Sequence, residues 1–103
     1  MRKVKKMVIN GTDQNDVLYV VDGVTDVFGR KGDDFIVCDT SDDFKVDGGF
    51  GFDTFEFQLF IGQDVTFNET DNDRTVIKIF ESGEQVQKIV LVDVEQIDWF
   101  MVG

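Results

Sequence analysis

The feature that most constrains the fold is a nine-residue repeat in the first half of the chain. Three segments, starting at residues 11, 29 and 48, each place Gly at the first position, Asp at the sixth and a large apolar residue at the eighth. Their starts lie 18 and 19 residues apart. A period this regular is typical of chains that stack one structural unit on the next.

The register of the repeat continues between these segments. Apolar residues recur at the eighth position, at spacings of 9, 9, 10 and 9, as Leu18, Val27, Ile36, Val46 and Phe55. One extra residue is therefore inserted in the fourth repeat, and Cys38 is the simplest candidate for it. The sixth positions alternate between acidic and non-acidic residues, as Asp16, Thr25, Asp34, Phe44 and Asp53.

A coil of two repeats explains this alternation. Each nonapeptide would supply a Gly-rich turn and then a short strand whose eighth residue points inward. With two nonapeptides per coil of a flattened solenoid, Asp16, Asp34 and Asp53 stack along one edge at about 4.8 Å. The opposite edge lacks these carboxylates. We predict an all-β fold, a short parallel β-roll or β-solenoid of nonapeptide repeats with a C-terminal antiparallel β cap.

Stacked carboxylates favour a bound cation. Two unit charges about 5 Å apart repel by about 0.8 kcal/mol in water and about 3 kcal/mol at an effective dielectric constant near 20. Ca²⁺ suits such a site better than Mg²⁺ because it accepts six to eight oxygens in flexible geometry. We expect up to two calcium sites, one between the turns of Asp16 and Asp34 and one between those of Asp34 and Asp53. The alternative is a metal-free roll whose Asp side chains only solvate the turns.

Composition excludes several classes of function. The net charge of −11 disfavours nucleic acid as a partner. One cysteine and no histidine rule out an intramolecular disulfide, the usual zinc sites and a Ser-His-Asp triad, and we expect Cys38 to be a small buried hydrophobic residue. The apolar run at 89–92 is too short to span a membrane. The repeat explains the acids, so we expect no enzyme of the two-carboxylate glycosidase kind.

Residues 8–57 resemble the hemolysin-type (RTX) calcium-binding β-roll. Segment 48–56, GGFGFDTFE, fits the nonapeptide pattern G-G-x-G-x-D-x-U-x at every specified position. The resemblance implies parallel strands, calcium held between turns on one edge, and folding coupled to calcium. It implies Asp34 and Asp53 as the strongest ligands, and Asp16 in the equivalent place. It also implies turn glycines whose carbonyls line the metal: Gly29, Gly32, Gly48, Gly49 and Gly51.

The chain reads as a single domain, 1–103, in three parts. Residues 1–10 are predicted to form an N-terminal strand or cap, 11–57 the nonapeptide roll, and 58–103 the C-terminal β cap, with Ser82-Gly83 as a hairpin turn. Segment 92–101 resembles, more loosely, the C-terminal region of RTX proteins exported by type I secretion. The alternative for this segment is a cap strand whose Trp99 and Phe100 pack in the core.

The expected function is that of a secreted, extracellular calcium-binding module that folds or is stabilised on binding Ca²⁺. It would be the C-terminal folding and secretion module of a type I-secreted RTX-like protein, or a small free-standing relative. The alternative is a carbohydrate-binding or adhesive accessory module on the same scaffold. That alternative would need exposed aromatic side chains, and the candidates are Tyr19, Phe28, Phe50 and Phe52.

Overall fold

The computed structural model describes residues 7–70 and 73–102, and every helix or strand in those ranges is a β-strand. The predicted all-β class is therefore confirmed. The ten strands are β1 (Met7–Asn10), β2 (Val17–Val20), β3 (Val24–Phe28), β4 (Phe35–Cys38), β5 (Phe44–Asp47), β6 (Thr54–Phe60), β7 (Gln63–Thr70), β8 (Arg74–Glu81), β9 (Glu84–Val92) and β10 (Gln96–Val102).

The strands form two sheets, a six-stranded one in the order β1-β3-β5-β9-β8-β7 and a four-stranded one in the order β10-β6-β4-β2. From β1 to β6 the chain alternates between the sheets, and each strand pairs in parallel with the strand two places further on. Paired residues are 18 or 19 positions apart, as in Leu18 with Ile36 and Ile36 with Phe55, except at the irregular start of β1, where Met7 pairs with Val24. Two nonapeptides therefore separate neighbouring strands, as the repeat spacing predicts.

The eighth-position residues form two stacks that meet in the core between the sheets. Leu18, Ile36 and Phe55 are neighbours in one sheet, and Val27 and Val46 are neighbours in the other. All five belong to the core, with Leu18 partly buried and the rest at most 1% exposed. The prediction that they point inward is confirmed. Burying such side chains contributes roughly 1.5–3 kcal/mol each.

The C-terminal half begins with the expected antiparallel strands. β7 pairs with β8 and β8 with β9, and the β8–β9 hairpin turns at Ser82 (φ 53°) and Gly83 (φ 81°). Positive φ at both turn residues is the type I′ geometry that matches the twist of the flanking strands. However, β9 also pairs in parallel with β5, and β10 pairs in parallel with β6 along its whole length. The prediction of an antiparallel cap is therefore wrong for β10.

The fourth repeat accommodates its extra residue in a turn rather than in a strand. Cys38 stays in register with Val20, 18 residues earlier, whereas the offset between β3 and β5 is 19 residues. The insertion therefore lies in the turn 39–43, and the choice of Cys38 is wrong. This turn is held by the buried Gln87, whose Nε2 donates to the carbonyl oxygens of Thr40 at 3.0 Å and Asp42 at 2.7 Å.

The last strand is less buried than its sequence indicates. Trp99 is 47% exposed and Phe100 is 44% exposed, so the reading that both pack in the core is wrong. The physical reason is that β10 forms the edge of the four-stranded sheet, where no further strand covers it. One face of the Trp99 ring still stacks on Phe57, with centroids 6.4 Å apart.

The start of the chain can be compared only in part with its prediction. Residues 7–10 form strand β1, which pairs in parallel with β3, and the basic segment 1–6 of the predicted N-terminal strand or cap lies outside the described residues. In the described ranges, no helix has the length and apolar character needed to cross a membrane.

Candidate metal centre

Four turns stack along one edge of the two sheets. In the three nonapeptide turns, the first Gly donates its N–H at 2.7–2.8 Å to the carbonyl of the residue that ends the neighbouring strand. This places the predicted acidic positions of the first, third and fifth repeats directly above one another. A fourth turn, not predicted by the repeat, follows β9 and continues the stack. The turns span residues 11–16, 29–34, 48–53 and 93–95.

The carboxylates of these turns form a hydrogen-bonded series that we call the carboxylate ladder, made of Asp16, Asp34, Asp53 and Glu95. The backbone N–H of Asp16 donates to Asp34 Oδ1 at 2.9 Å, and that of Asp34 donates to Asp53 Oδ1 at 2.9 Å. The N–H of Asp53 donates to Glu95 Oε1 at 2.7 Å. One oxygen of each of the last three carboxylates is therefore fixed by the turn before it.

The second oxygens of the ladder are not equivalent. Asp34 is 2% exposed and Asp53 is 0% exposed, and their Oδ2 atoms lack a hydrogen-bond partner in the described parts of the chain. Asp16 Oδ2, in contrast, accepts the Thr12 N–H at 2.7 Å and the Thr12 hydroxyl at 3.1 Å. Because buried polar groups are nearly always paired, the two lone oxygens indicate a further partner, which is a cation, a proton or a donor such as water.

Backbone carbonyls converge on the same two oxygens. A Cβ built on Gly29 would lie 2.6 Å from Asp34 Oδ2 and 2.7 Å from the carbonyl oxygen of Gly48. A Cβ built on Gly48 would lie 2.7 Å from Asp53 Oδ2 and would also contact the carbonyl oxygen of Asp93. A lone carboxylate oxygen and a carbonyl of the next turn thus approach the same glycine so closely that a side chain at that position would clash with both.

The other predicted turn glycines shape the turns rather than this space. Gly32, Gly49 and Gly51 have φ of 95°, 76° and 101°, a region that favours glycine. A Cβ on any of the three would meet a backbone carbonyl of the preceding stacked turn. Arg30, at a position where the repeat pattern has Gly, adopts φ 68° and keeps the same left-handed turn. The structure therefore brings Gly29 and Gly48 to the acids and keeps Gly32, Gly49 and Gly51 at the close approaches between turns.

The electrostatics of the ladder leave charge uncompensated in its middle. Burial raises the pKa of Asp34, and the Asp16 carboxylate raises it further by repulsion. Burial raises the pKa of Asp53 from its ordinary 3.8 to about 7, with added repulsion from Asp34 and Glu95. Each shift is opposed by a backbone N–H that stabilises the anion. A cation or a proton would relieve both carboxylates.

The donor set of this centre is mixed. Over residues 7–70 and 73–102, no group of three or more His, Cys, Asp or Glu side chains is arranged to hold a metal ion. Each layer of the ladder instead combines carboxylate oxygens with carbonyls. Ca²⁺ accepts oxygens of both kinds, in contrast to zinc, which needs nitrogen or sulfur ligands in most structural sites.

On the opposite edge, the described carboxylates are arranged differently. The Thr40 hydroxyl donates to Asp22 Oδ1 at 2.6 Å, and the Gly23 N–H donates to Asp42 Oδ2 at 3.0 Å. These carboxylates are exposed and each has a neutral donor.

Sequence reasoning missed Glu95, the fourth rung of the ladder. Its signal was available, because Glu95 and Ile97 have the same acid-x-apolar spacing as Asp53 and Phe55, and Ile97 pairs with Phe55. The segment that forms β7 and β8 hides this match, because it separates the two turns by more than the 18–19-residue period.

Comparison with protein-family models finds no match for this chain, and comparisons with curated proteins and with solved structures find none either. The function is therefore argued from the geometry of the ladder and from the nonapeptide pattern in the chain itself.

Proposed function

We propose that the protein is a calcium-binding β-roll module of the RTX kind, stabilised when Ca²⁺ binds the carboxylate ladder. The observation that carries the proposal is Asp34 Oδ2, an oxygen of a carboxylate only 2% exposed, which has no partner in the described chain and faces the Gly48 carbonyl. Alternation of β1–β6 between the two sheets, with parallel pairing among these six strands, supports the β-roll part of the proposal.

The chain's own residues would hold the ion between two stacked turns. Asp34 Oδ2 and the Gly48 carbonyl are its proposed ligands in the layer between the third and fifth repeats. The layer below, at Asp16, is a weaker candidate, because a cation there has to compete with the Thr12 N–H and hydroxyl for Asp16 Oδ2. When bound, Ca²⁺ would supply positive charge and coordination to carboxylate oxygens that accept no hydrogen bond from the described residues.

The size of the effect suits a switch. A ligand at about 100 times its Kd stabilises the folded state by about 2.7 kcal/mol. The free energy of unfolding of an ordinary domain is about 5–15 kcal/mol in total. In the metal-free protein, one buried oxygen of Asp34 and one of Asp53 lack a hydrogen-bond partner in the described residues. Occupancy of one site therefore shifts a marginal fold appreciably.

The proposed setting is extracellular. Calcium modules outside the cell bind with Kd values of about 10⁻⁴–10⁻³ M, so they are empty where calcium is scarce and filled after export. We propose that the chain is the folding and secretion module of a type I-secreted RTX-like protein, or a small relative of one. Charge repulsion along the ladder would keep the roll loose before export.

Far-UV circular dichroism and thermal unfolding test the proposal directly. Calcium added from micromolar to millimolar to chelator-treated protein should raise the melting temperature and sharpen the β signal, and magnesium should do so far less. Asp64→Asn, an exposed acid on β7, should respond like the wild type. Identical melting curves with chelator and with calcium would refute the proposal.

A second candidate function has one specific observation in its favour. Tyr19, Phe28, Phe50 and Phe52 are all exposed, at 59%, 40%, 77% and 52%, and Phe28 and Phe50 line an open cavity of about 370 Å³. Flat aromatic surfaces of this kind suit a carbohydrate or adhesive partner. Glycan-array binding that persists in chelator and disappears in Phe50→Ala would favour this role. No binding to any glycan would exclude it.

A further inference from the structure

The second lone oxygen of the ladder points away from the repeat. Asp53 Oδ2 lies in the layer above the last nonapeptide turn, between that turn and residues 93–95. Those residues belong to no nonapeptide, and they reach this position only after the chain has passed through β7, β8 and β9. The layer therefore contains an acid of the repeat and a turn that the repeat does not encode.

Two kinds of oxygen donor accompany Asp53 in this layer. The Asp93 carbonyl occupies the place that the Gly48 carbonyl has one layer below, as their matching contacts with Gly48 and Gly29 show. Glu95 supplies the neighbouring carboxylate, held by its Oε1 to the Asp53 N–H at 2.7 Å. Asp93 adopts φ 53°, the left-handed conformation that the turn needs at this point.

Solvent reaches this layer from one side. An open cavity of about 430 Å³ is lined by Asp93 and Glu95 together with Asp47 and the glycine turn of the last repeat. Its acidic lining attracts cations, whereas Asp53 itself is fully buried. The acidic mouth therefore lies beside the turn that carries the lone, buried carboxylate oxygen of Asp53, with Asp93 and Glu95 lining it.

We propose that a second divalent cation of the calcium class binds between the last nonapeptide turn and residues 93–95, with Asp53 Oδ2, the Asp93 carbonyl and the Glu95 carboxylate as ligands. This inference rests on the proposed calcium function and extends it. The pair of principal sites is then displaced by one layer from the sequence prediction, to the Asp34 and Asp53 layers. The N–H groups of Glu95 and Gln96, where β10 begins, donate to the Asp53 carbonyl at 3.0 and 3.1 Å. An ion bound by Asp53 and Glu95 would therefore stabilise the attachment of β10 to the roll.

Calorimetric titration of the full chain, stripped with chelator and titrated with Ca²⁺, counts the ions. Wild type should bind two, Glu95→Gln should keep one, and Asp34→Asn should keep the other, with the damaged site weakened by about tenfold or more because it loses a charged ligand. Gln at this position retains an oxygen to accept the Asp53 N–H. Glu84→Gln, an exposed acid in the β8–β9 turn region, is the matched control and should bind two.

The outcomes separate this inference from the proposed function. If Glu95→Gln binds two ions like the wild type while Asp34→Asn loses binding, the inference is wrong and the proposed function still holds. A wild type that binds no calcium overturns both. If Glu95→Gln fails to fold, amide hydrogen exchange on the wild type provides the test. Calcium should slow exchange of the Gln96 amide at least tenfold. Protection confined to residues 11–57 would overturn the inference.

Discussion

At the scale of single residues, the carboxylates at equivalent positions of the repeat differ in whether both of their oxygens have hydrogen-bond partners. Asp16, Asp34 and Asp53 share the sixth position, but Thr12 satisfies the first and nothing in the described chain satisfies the outer oxygens of the other two. The sequence sufficed to select all three acids and to place them on one edge. The resemblance also ranked Asp34 and Asp53 above Asp16. It did not show the physical reason, because the hydrogen bonds from Thr12 to Asp16 exist only once the turn is folded.

Asp34→Asn should have opposite effects on stability with and without calcium. In chelator at pH 8 the variant removes a buried unpaired charge, so we expect its free energy of unfolding to rise by roughly 1–3 kcal/mol. In saturating calcium it should be less stable than the wild type, because a ligand is lost. Urea unfolding in both buffers measures this, with Asp13→Asn, an exposed acid of the first turn, as the control. Destabilisation of equal size in both buffers would mean that Asp34 is only structural.

Stability of the metal-free protein should fall as the pH rises. The pKa of Asp53 is raised from 3.8 to about 7, so the folded state holds a proton that the unfolded state releases. This contribution is complete below pH 3.8 and is lost as the pH rises through about 7. We expect the urea midpoint in chelator to be higher at pH 5 than at pH 8, and Asp53→Asn to reduce that difference. A midpoint that increases with pH in chelator contradicts the prediction.

At the scale of elements, the repeat predicts β2–β6 well and the rest less completely. Period and inward residue position are local properties, so Val27, Ile36 and Val46 could be assigned to the core from spacing alone. The return of β9 and β10 to the parallel sheets is not local. It depends on the open edges that β5 and β6 present and on an apolar strand that can pair with each, which periodicity does not encode.

Close stacking of turns makes Gly49 more sensitive than a glycine of positive φ outside the stack. An Ala at Gly49 would suffer both the left-handed φ of 76° and a clash with the Arg30 carbonyl. Gly62 has φ 94° with no heavy atom near the added Cβ, so Gly62→Ala bears only the backbone cost of about 1–2 kcal/mol. Thermal unfolding should show Gly49→Ala to be clearly the less stable of the two. Equal losses would show that the turns do not approach as closely as described.

At the scale of the whole molecule, the charge distribution opposes the fold unless a cation or protons neutralise the stacked carboxylates. The chain carries a net charge of −11, and 11 Asp residues lie between residues 11 and 53, three of them stacked on one edge. The core is modest for a chain of 103 residues, so the repulsion is a sizeable fraction of the net stability. Calcium is therefore expected to govern the compactness of the entire chain, not only the geometry of one turn.

Small-angle scattering should detect this coupling. The folded chain has a Cα radius of gyration of 13.7 Å, whereas an unfolded chain of this length has one of about 32 Å. We expect values close to the folded one in millimolar calcium and a clearly larger average in chelator at pH 8. The same value in both buffers would show that the ladder does not control compaction.

The most direct measurement is the anomalous signal from crystals grown with calcium or with a lanthanide in its place. We expect a peak within coordination distance, about 2.3–2.6 Å, of Asp34 Oδ2 and the Gly48 carbonyl oxygen. Peaks found only at exposed acids, or a water molecule beside Asp34 Oδ2 with no anomalous signal, would contradict a calcium site in the carboxylate ladder.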